Sequence, residues 1–88
     1  MYALRNYMEE VVRASLVDVL KANGYCTCER CKSDTSAIVL NNLKPRYIVT
    51  EQGAVFTKID IASNKQFQID MTASIVKAAS QVSQFPRH

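Results

Sequence analysis

From Ala3 to Ala22 the apolar residues Leu4, Met8, Val11, Leu16, Val19 and Leu20 recur at helical spacing, with Arg5, Glu9, Glu10, Arg13 and Asp18 mostly between them. The pattern predicts an amphipathic helix. Asn23-Gly24 follows at once, and glycine there ends a helix because it takes the left-handed conformation without a Cβ clash. After a polar loop, Ser33 or Asp34 is placed to cap a second helix that runs to Asn42 or Leu43, where Lys44-Pro45 stops it.

Two runs rich in β-branched and aromatic residues, Ile48-Val49-Thr50 and Val55-Phe56-Thr57, flank Glu51-Gln52-Gly53-Ala54 and predict a short β-hairpin. Ser63, with Gln66 three residues on, has the form of a capping box. A third long helix is expected from Asn64 to Ser83, with Ile69, Thr72, Val76, Ala79 and Val82 on one face and Met71, Ile75 and Ala78 widening it. Pro86 is expected to end it. The fold class is therefore mostly α: a small helical single domain spanning 1–88, with a short β-hairpin.

The length of 88 residues leaves no room for a second domain of ordinary size. A domain this small buries only about 60–65% of its unfolded surface, so a metal, a disulfide or a partner subunit is expected to contribute to its stability. The wide apolar stripes of the first and last helices exceed what one small core covers, which predicts a homodimer with those helices at its seam. No apolar run reaches the roughly 20 residues that span a bilayer. MYALRNYMEE lacks the apolar stretch of an export signal, so the expected location is the cytoplasm, away from membranes.

The net charge of +3, from eleven basic and eight acidic residues, is too mild for the dense basic stripe of a duplex-DNA binder but suits a small anion. With one histidine, His88, and two glycines, Gly24 and Gly53, the chain offers neither a nucleophilic triad nor a glycine-rich phosphate loop. A non-enzymatic protein is expected.

The sharpest chemical signal is Cys26-Thr27-Cys28-Glu29-Arg30-Cys31. Three thiols this close can converge on one ion at about 2.3 Å, and thiolates suit zinc. An odd number of cysteines makes a poor disulfide framework. A fourth ligand is needed; His88 is the better candidate and Asp34 the rarer one, since a carboxylate seldom stands beside three thiolates. The alternative is a loop of free or redox-active thiols, whereas an iron–sulfur cluster usually takes four cysteines. A second constellation, Asn41-Asn42-Leu43-Lys44-Pro45-Arg46-Tyr47, sets amides, cations and an aromatic ring at a helix end. Arg46 could bond phosphate or a guanine edge, Asn42 and Lys44 could assist, and Tyr47 could stack. The same residues also read as a helix stop with solvated cations and Tyr47 packed in the core.

Asn6-Tyr7-Met8-Glu9-Glu10-Val11-Val12, the Cys26/Cys28/Cys31 loop and the stretch from Asp34 through Tyr47, DTSAIVLNNLKPRY, together resemble the late competence protein ComFB family. The similarity continues through Phe56-Thr57-Lys58 and the alanine-rich last helix, and the cysteine loop resembles the zinc-bearing branch of the family. Where the family often shows two prolines this chain has Lys44-Pro45, which alters the local backbone. The resemblance implies a small, helical, homodimeric bacterial protein that binds a cyclic dinucleotide, chiefly cyclic di-GMP. The competing expectation is a zinc-stabilised adaptor for a regulatory protein partner, with no nucleotide ligand.

Overall fold

A computed structural model describes residues 3–84. Among these, β1 (Arg5–Asn6), α1 (Met8–Ala22), α2 (Glu29–Asn42), β2 (Tyr47–Ile48), α3 (Glu51–Ala62) and α4 (Lys65–Gln84) follow in order. Pro86 and His88 lie outside the described residues.

Helix α1 buries Met8, Val12, Leu16 and Leu20, one residue per turn. It starts later than the sequence pattern predicts. The Asn6 Oδ1 accepts the Met8 N–H at 3.1 Å, so a side chain satisfies a first-turn donor and the chain ahead of it turns away. Arg5 and Asn6 instead pair antiparallel with Ile48 and Tyr47, and Leu4, read as part of the helical stripe, is exposed. At the other end the expectation holds. Gly24 has φ +74°, its N–H donates to the Lys21 carbonyl at 3.2 Å, and Tyr25 N–H donates to the Leu20 carbonyl at 2.9 Å. These two bonds form a Schellman motif.

Helix α2 begins at Glu29, four residues before the earlier of the two expected caps. Cys28 is the cap, with its Sγ accepting the Cys31 N–H at 3.4 Å, so Cys31 already lies in the first turn. Thr35 and Val39 continue the buried line from Cys31, and the helix ends at Asn42 ahead of Lys44-Pro45, as expected.

The predicted hairpin does not form. Tyr47–Ile48 pairs with Arg5–Asn6 instead, and Val55-Phe56-Thr57 lies in α3. Thr50 is a helix cap here, its Oγ1 accepting the Gly53 N–H at 3.0 Å. Ala54, Thr57 and Ile61, spaced by three and four, are buried on one face, and this periodicity overrides the strand preference of the individual residues. Ser63 closes α3, its hydroxyl donating to the Ile59 carbonyl at 3.0 Å, in place of the capping-box role. Asn64 caps the next helix, its Oδ1 accepting the Phe67 N–H at 3.0 Å.

Helix α4 matches its expected extent within two residues, but the buried stripe is rotated. Met71, Ile75, Ala78, Ala79 and Val82 are buried, whereas Ile69 and Thr72 are exposed. The main core gathers Val12, Leu16 and Leu20 of α1, Val39 of α2, and Met71, Ile75, Ala78 and Ala79 of α4. A second cluster holds Tyr7, Met8, Ile48, Ala54 and Ile61, with Val11, Leu40, Leu43 and Phe67 packed against both. The stripes of α1 and α4 are therefore covered by each other and by α2 within one chain. Among the described residues no helix is long and apolar enough to cross a membrane.

Candidate metal centre and anion site

The loop after the Schellman turn and the first turn of α2 bring Cys26, Cys28 and Cys31 together, with sulfurs that all lie within 4.8 Å of one another. Tetrahedral ligands with bonds of about 2.3 Å stand roughly 3.8 Å apart, so a small contraction of the loop would place all three on one zinc ion. No carboxylate joins this group among the described residues. Cys26 is exposed, Cys28 half-buried and Cys31 buried, a gradient that gives the cluster one open side.

The local surroundings also push two of the thiols in opposite directions. The Cys31 N–H aimed at its sulfur lowers the pKa of Cys28 below the ordinary value, and the Cys26 side chain adds to this against the opposing effect of burial. Burial first, then hydrogen bonds with Cys28 and Cys26, pushes Cys31 up to about 12. Cys28 is thus a readier thiolate than Cys31, whose proton a bound metal would have to displace. A site of this kind would be structural in character: the three thiolates would hold the ion, and no histidine or carboxylate joins them among the described residues.

A cavity of about 220 Å³ adjoins the cluster, lined by Leu20, Tyr25, Cys26, Cys31, Thr35, Ala79, Val82 and Ser83. It joins the cysteines to the last turn of α4, an adjacency of residues more than fifty positions apart that no spacing in the chain announces. Tyr25, directly before the first cysteine, was the nearest sequence signal for it.

The second constellation is divided by the fold. Arg46 and Tyr47 sit side by side on the segment entering β2, both exposed; the Tyr47 ring is 63% exposed and so does not pack in the core. The Arg46 backbone is held on both sides, its N–H donating to Asn6 Oδ1 at 2.9 Å and its carbonyl accepting the Tyr7 N–H at 2.7 Å. Its guanidinium donates to Asp60 of α3 at 3.1 Å. Asp60 carries no motif signal and becomes visible only because α3 is a helix packed beside β2. Lys44 is exposed on the connection leaving α2. Asn42 belongs elsewhere: its Nδ2 donates to the Ile38 carbonyl at 2.8 Å, and it lines a groove between α2 and α4 with Asp70, Ser74 and Lys77.

Residues 5–86 match the model of the family described as late competence development protein ComFB. Competence protein ComFB of Bacillus subtilis (strain 168) is 29% identical over 80 residues, which cover 89% of this chain and 81% of that protein. The solved structure of the late competence protein ComFB from Bacillus subtilis superposes with a TM-score of 0.82 at 26% identity, covering 96% of this chain and 94% of the other. With a family match across nearly all of the described helices and a shared fold at full length, the chain belongs to the ComFB family.

Proposed function

We propose that this protein is a non-enzymatic regulator of the bacterial cytoplasm, stabilised by zinc, that receives a cyclic dinucleotide, with cyclic di-GMP the first candidate. Membership of a competence family supports a regulatory output, and the observation that carries the ligand reading is the pairing of Arg46 with Tyr47. Arg46, whose backbone is fixed by bonds of 2.9 and 2.7 Å, directly precedes Tyr47 in the chain, and both residues are exposed. A fixed cation beside an open ring face is what an anionic, planar nucleotide needs, since phosphate or a guanine edge takes the fork and a base takes the ring. Lys44 adds charge at long range. Asn42 lines the groove between α2 and α4 and spends one amide N–H on the Ile38 carbonyl, so it is a weaker contributor than Arg46.

Zinc would be held by Cys26, Cys28 and Cys31, with His88 as the fourth ligand. The last turn of α4 lines the same cavity as the cysteines, and His88 follows Gln84 by four residues in the sequence. Bound there, the metal would fix the loop and tie the chain's end to it.

Isothermal titration of the purified protein with cyclic di-GMP, cyclic di-AMP and GTP tests the ligand reading. Saturable binding of a cyclic dinucleotide with GTP silent is expected, and no heat with any of the three would overturn it. The second reading, an adaptor that binds a regulatory protein and no nucleotide, is favoured by the apolar residues that α3 leaves exposed.

A further inference from the structure

The three cysteines differ in access as well as in position. Cys26 is exposed on the loop, Cys28 is half-buried at the cap of α2, and Cys31 is buried in the first turn of that helix. Their sulfurs nevertheless all lie within 4.8 Å of one another, whereas a disulfide bond is about 2.05 Å long. Closing a pair therefore asks for turned side chains and not for displaced helices. Cys28 stands between the other two in the chain, and its Sγ already rests over the first turn of α2, accepting the Cys31 N–H at 3.4 Å. Cys26 and Cys31 also share the walls of the cavity of about 220 Å³, whose volume gives their side chains room to change rotamer.

We propose that Cys26, Cys28 and Cys31 form a thiol relay, which accepts oxidation by hydrogen peroxide at Cys26 and holds it as a Cys28–Cys31 disulfide. The Cys26 sulfur attacks one peroxide oxygen, the O–O bond breaks, one water leaves, and Cys26 becomes a sulfenic acid. The Cys28 sulfur then attacks the Cys26 sulfur, the S–O bond breaks, and the hydroxyl departs as water with the Cys28 proton. Finally the Cys31 sulfur attacks that of Cys28, the Cys26–Cys28 bond breaks, and Cys26 leaves as a thiol carrying the Cys31 proton. Overall two thiols lose two hydrogens and two electrons, and one peroxide becomes two waters.

The gradient of burial gives the relay its direction. Oxidant in solution meets the outermost sulfur first, while the final disulfide lies at the buried end of the cluster, where a dissolved reductant reaches it least. The relay uses neither Arg46 nor Tyr47 and so does not depend on the nucleotide reading. It shares its sulfurs with the proposed zinc site, and because the disulfide removes two of that site's thiolates, oxidation and metal retention exclude each other.

The purified full chain, as isolated, is exposed to a small excess of hydrogen peroxide, its remaining thiols are alkylated, and the cysteines are mapped by mass spectrometry. The expected end product has lost two hydrogens and carries its alkyl label on Cys26. Cys26→Ser, at an exposed position where helical circular dichroism should be unchanged, should reach the same disulfide about tenfold more slowly because oxidant must attack a less accessible sulfur. Cys31→Ser should stop at a Cys26–Cys28 bond. Zinc released into a chromophoric chelator separates the two readings: the disulfide without zinc release supports the relay and removes the metal, whereas zinc held until the thiols pass to sulfinic acids supports the metal and overturns the relay. A wild-type end product with Cys26 in the bond, or a Cys26→Ser rate equal to the wild type, would also overturn it.

Discussion

The guanidinium of Arg46 donates to the Asp60 carboxylate across 3.1 Å, so the cation best placed to meet an anionic ligand already has an anion beside it. Both side chains are substantially exposed, and a pair of this kind contributes about 0–1 kcal/mol to stability. Its main effect is therefore on binding, since an incoming phosphate or guanine edge must share or displace Asp60. Asp60→Asn should tighten cyclic di-GMP binding several-fold, whereas Arg46→Ala should weaken it by about 1.5–3 kcal/mol, the range for a hydrogen bond to a charged group. Both variants should melt within a few degrees of the wild type. Titration calorimetry on the two proteins checks the opposite signs, and equal affinities would move the ligand site elsewhere.

Asn6 Oδ1 accepts two backbone N–H groups, those of Met8 and Arg46, at 3.1 and 2.9 Å. Asn6→Ala removes both bonds and leaves two donors unsatisfied at the junction of α1 with the β ladder. A loss of about 1–3 kcal/mol is expected in urea denaturation. Because the same carboxamide positions the Arg46 backbone, ligand affinity should fall as well, which an effect on stability alone would not produce.

Metal analysis of the purified protein should find about one zinc per chain. Cys28→Ser should abolish retention, since it removes a thiol whose pKa is held below its ordinary value and the sulfur that caps α2. His88→Ala should weaken retention without abolishing it, because three thiolates remain. Chelation should lower the melting temperature, as the free energy of binding a structural zinc adds to that of folding. A fully folded, metal-free wild type would remove the metal from the account.

The metal-free protein should lose stability in alkali. Cys31 in the folded chain is held up to about 12 chiefly by burial, while in the unfolded chain it ionises near its ordinary value of 9.0. Between these values the unfolded state has released a proton that the folded state retains, so stability falls as pH rises. Below pH 9 both states keep the proton and this contribution is complete. Denaturation of wild type and Cys31→Ala in chelator from pH 8 to 11 should show a steeper alkaline decline in the wild type.

Ile75 is completely buried and Ile69 is exposed, though both lie on α4 six residues apart. Ile75→Ala should cost about 2–5 kcal/mol through lost burial and the cavity left behind. Ile69→Ala should change stability by no more than about 0.5 kcal/mol. The two denaturation midpoints, compared directly, fix which face of the helix meets the core.

Helix ends whose signals act within a few residues were legible without the fold. Gly24 ends α1 because its left-handed backbone is a local property, and Lys44-Pro45 follows the end of α2 for an equally local steric reason. The clustering of Cys26, Cys28 and Cys31 was legible for the same cause, since six consecutive residues cannot carry three sulfurs far apart. The family could be read as well, because its pattern of residues spans the whole chain.

Tertiary contact decided the rest. The sequence pattern paired Ile48-Val49-Thr50 with the nearby Val55-Phe56-Thr57, whereas packing pairs Tyr47–Ile48 with the distant Arg5–Asn6. Burying Ala54, Thr57 and Ile61 against the Tyr7–Met8 cluster requires α3 to be a helix, which takes Val55–Thr57 out of reach of any strand. That choice brings Asp60 to Arg46 and turns Val55, Phe56 and Ile59 outward. Periodicity measures how much apolar surface a helix carries, but whether that surface is covered from within the chain depends on where the other helices lie. Here α1, α2 and α4 bury one face of each against the others, while Val55, Phe56 and Ile59 on the outer face of α3 stay exposed.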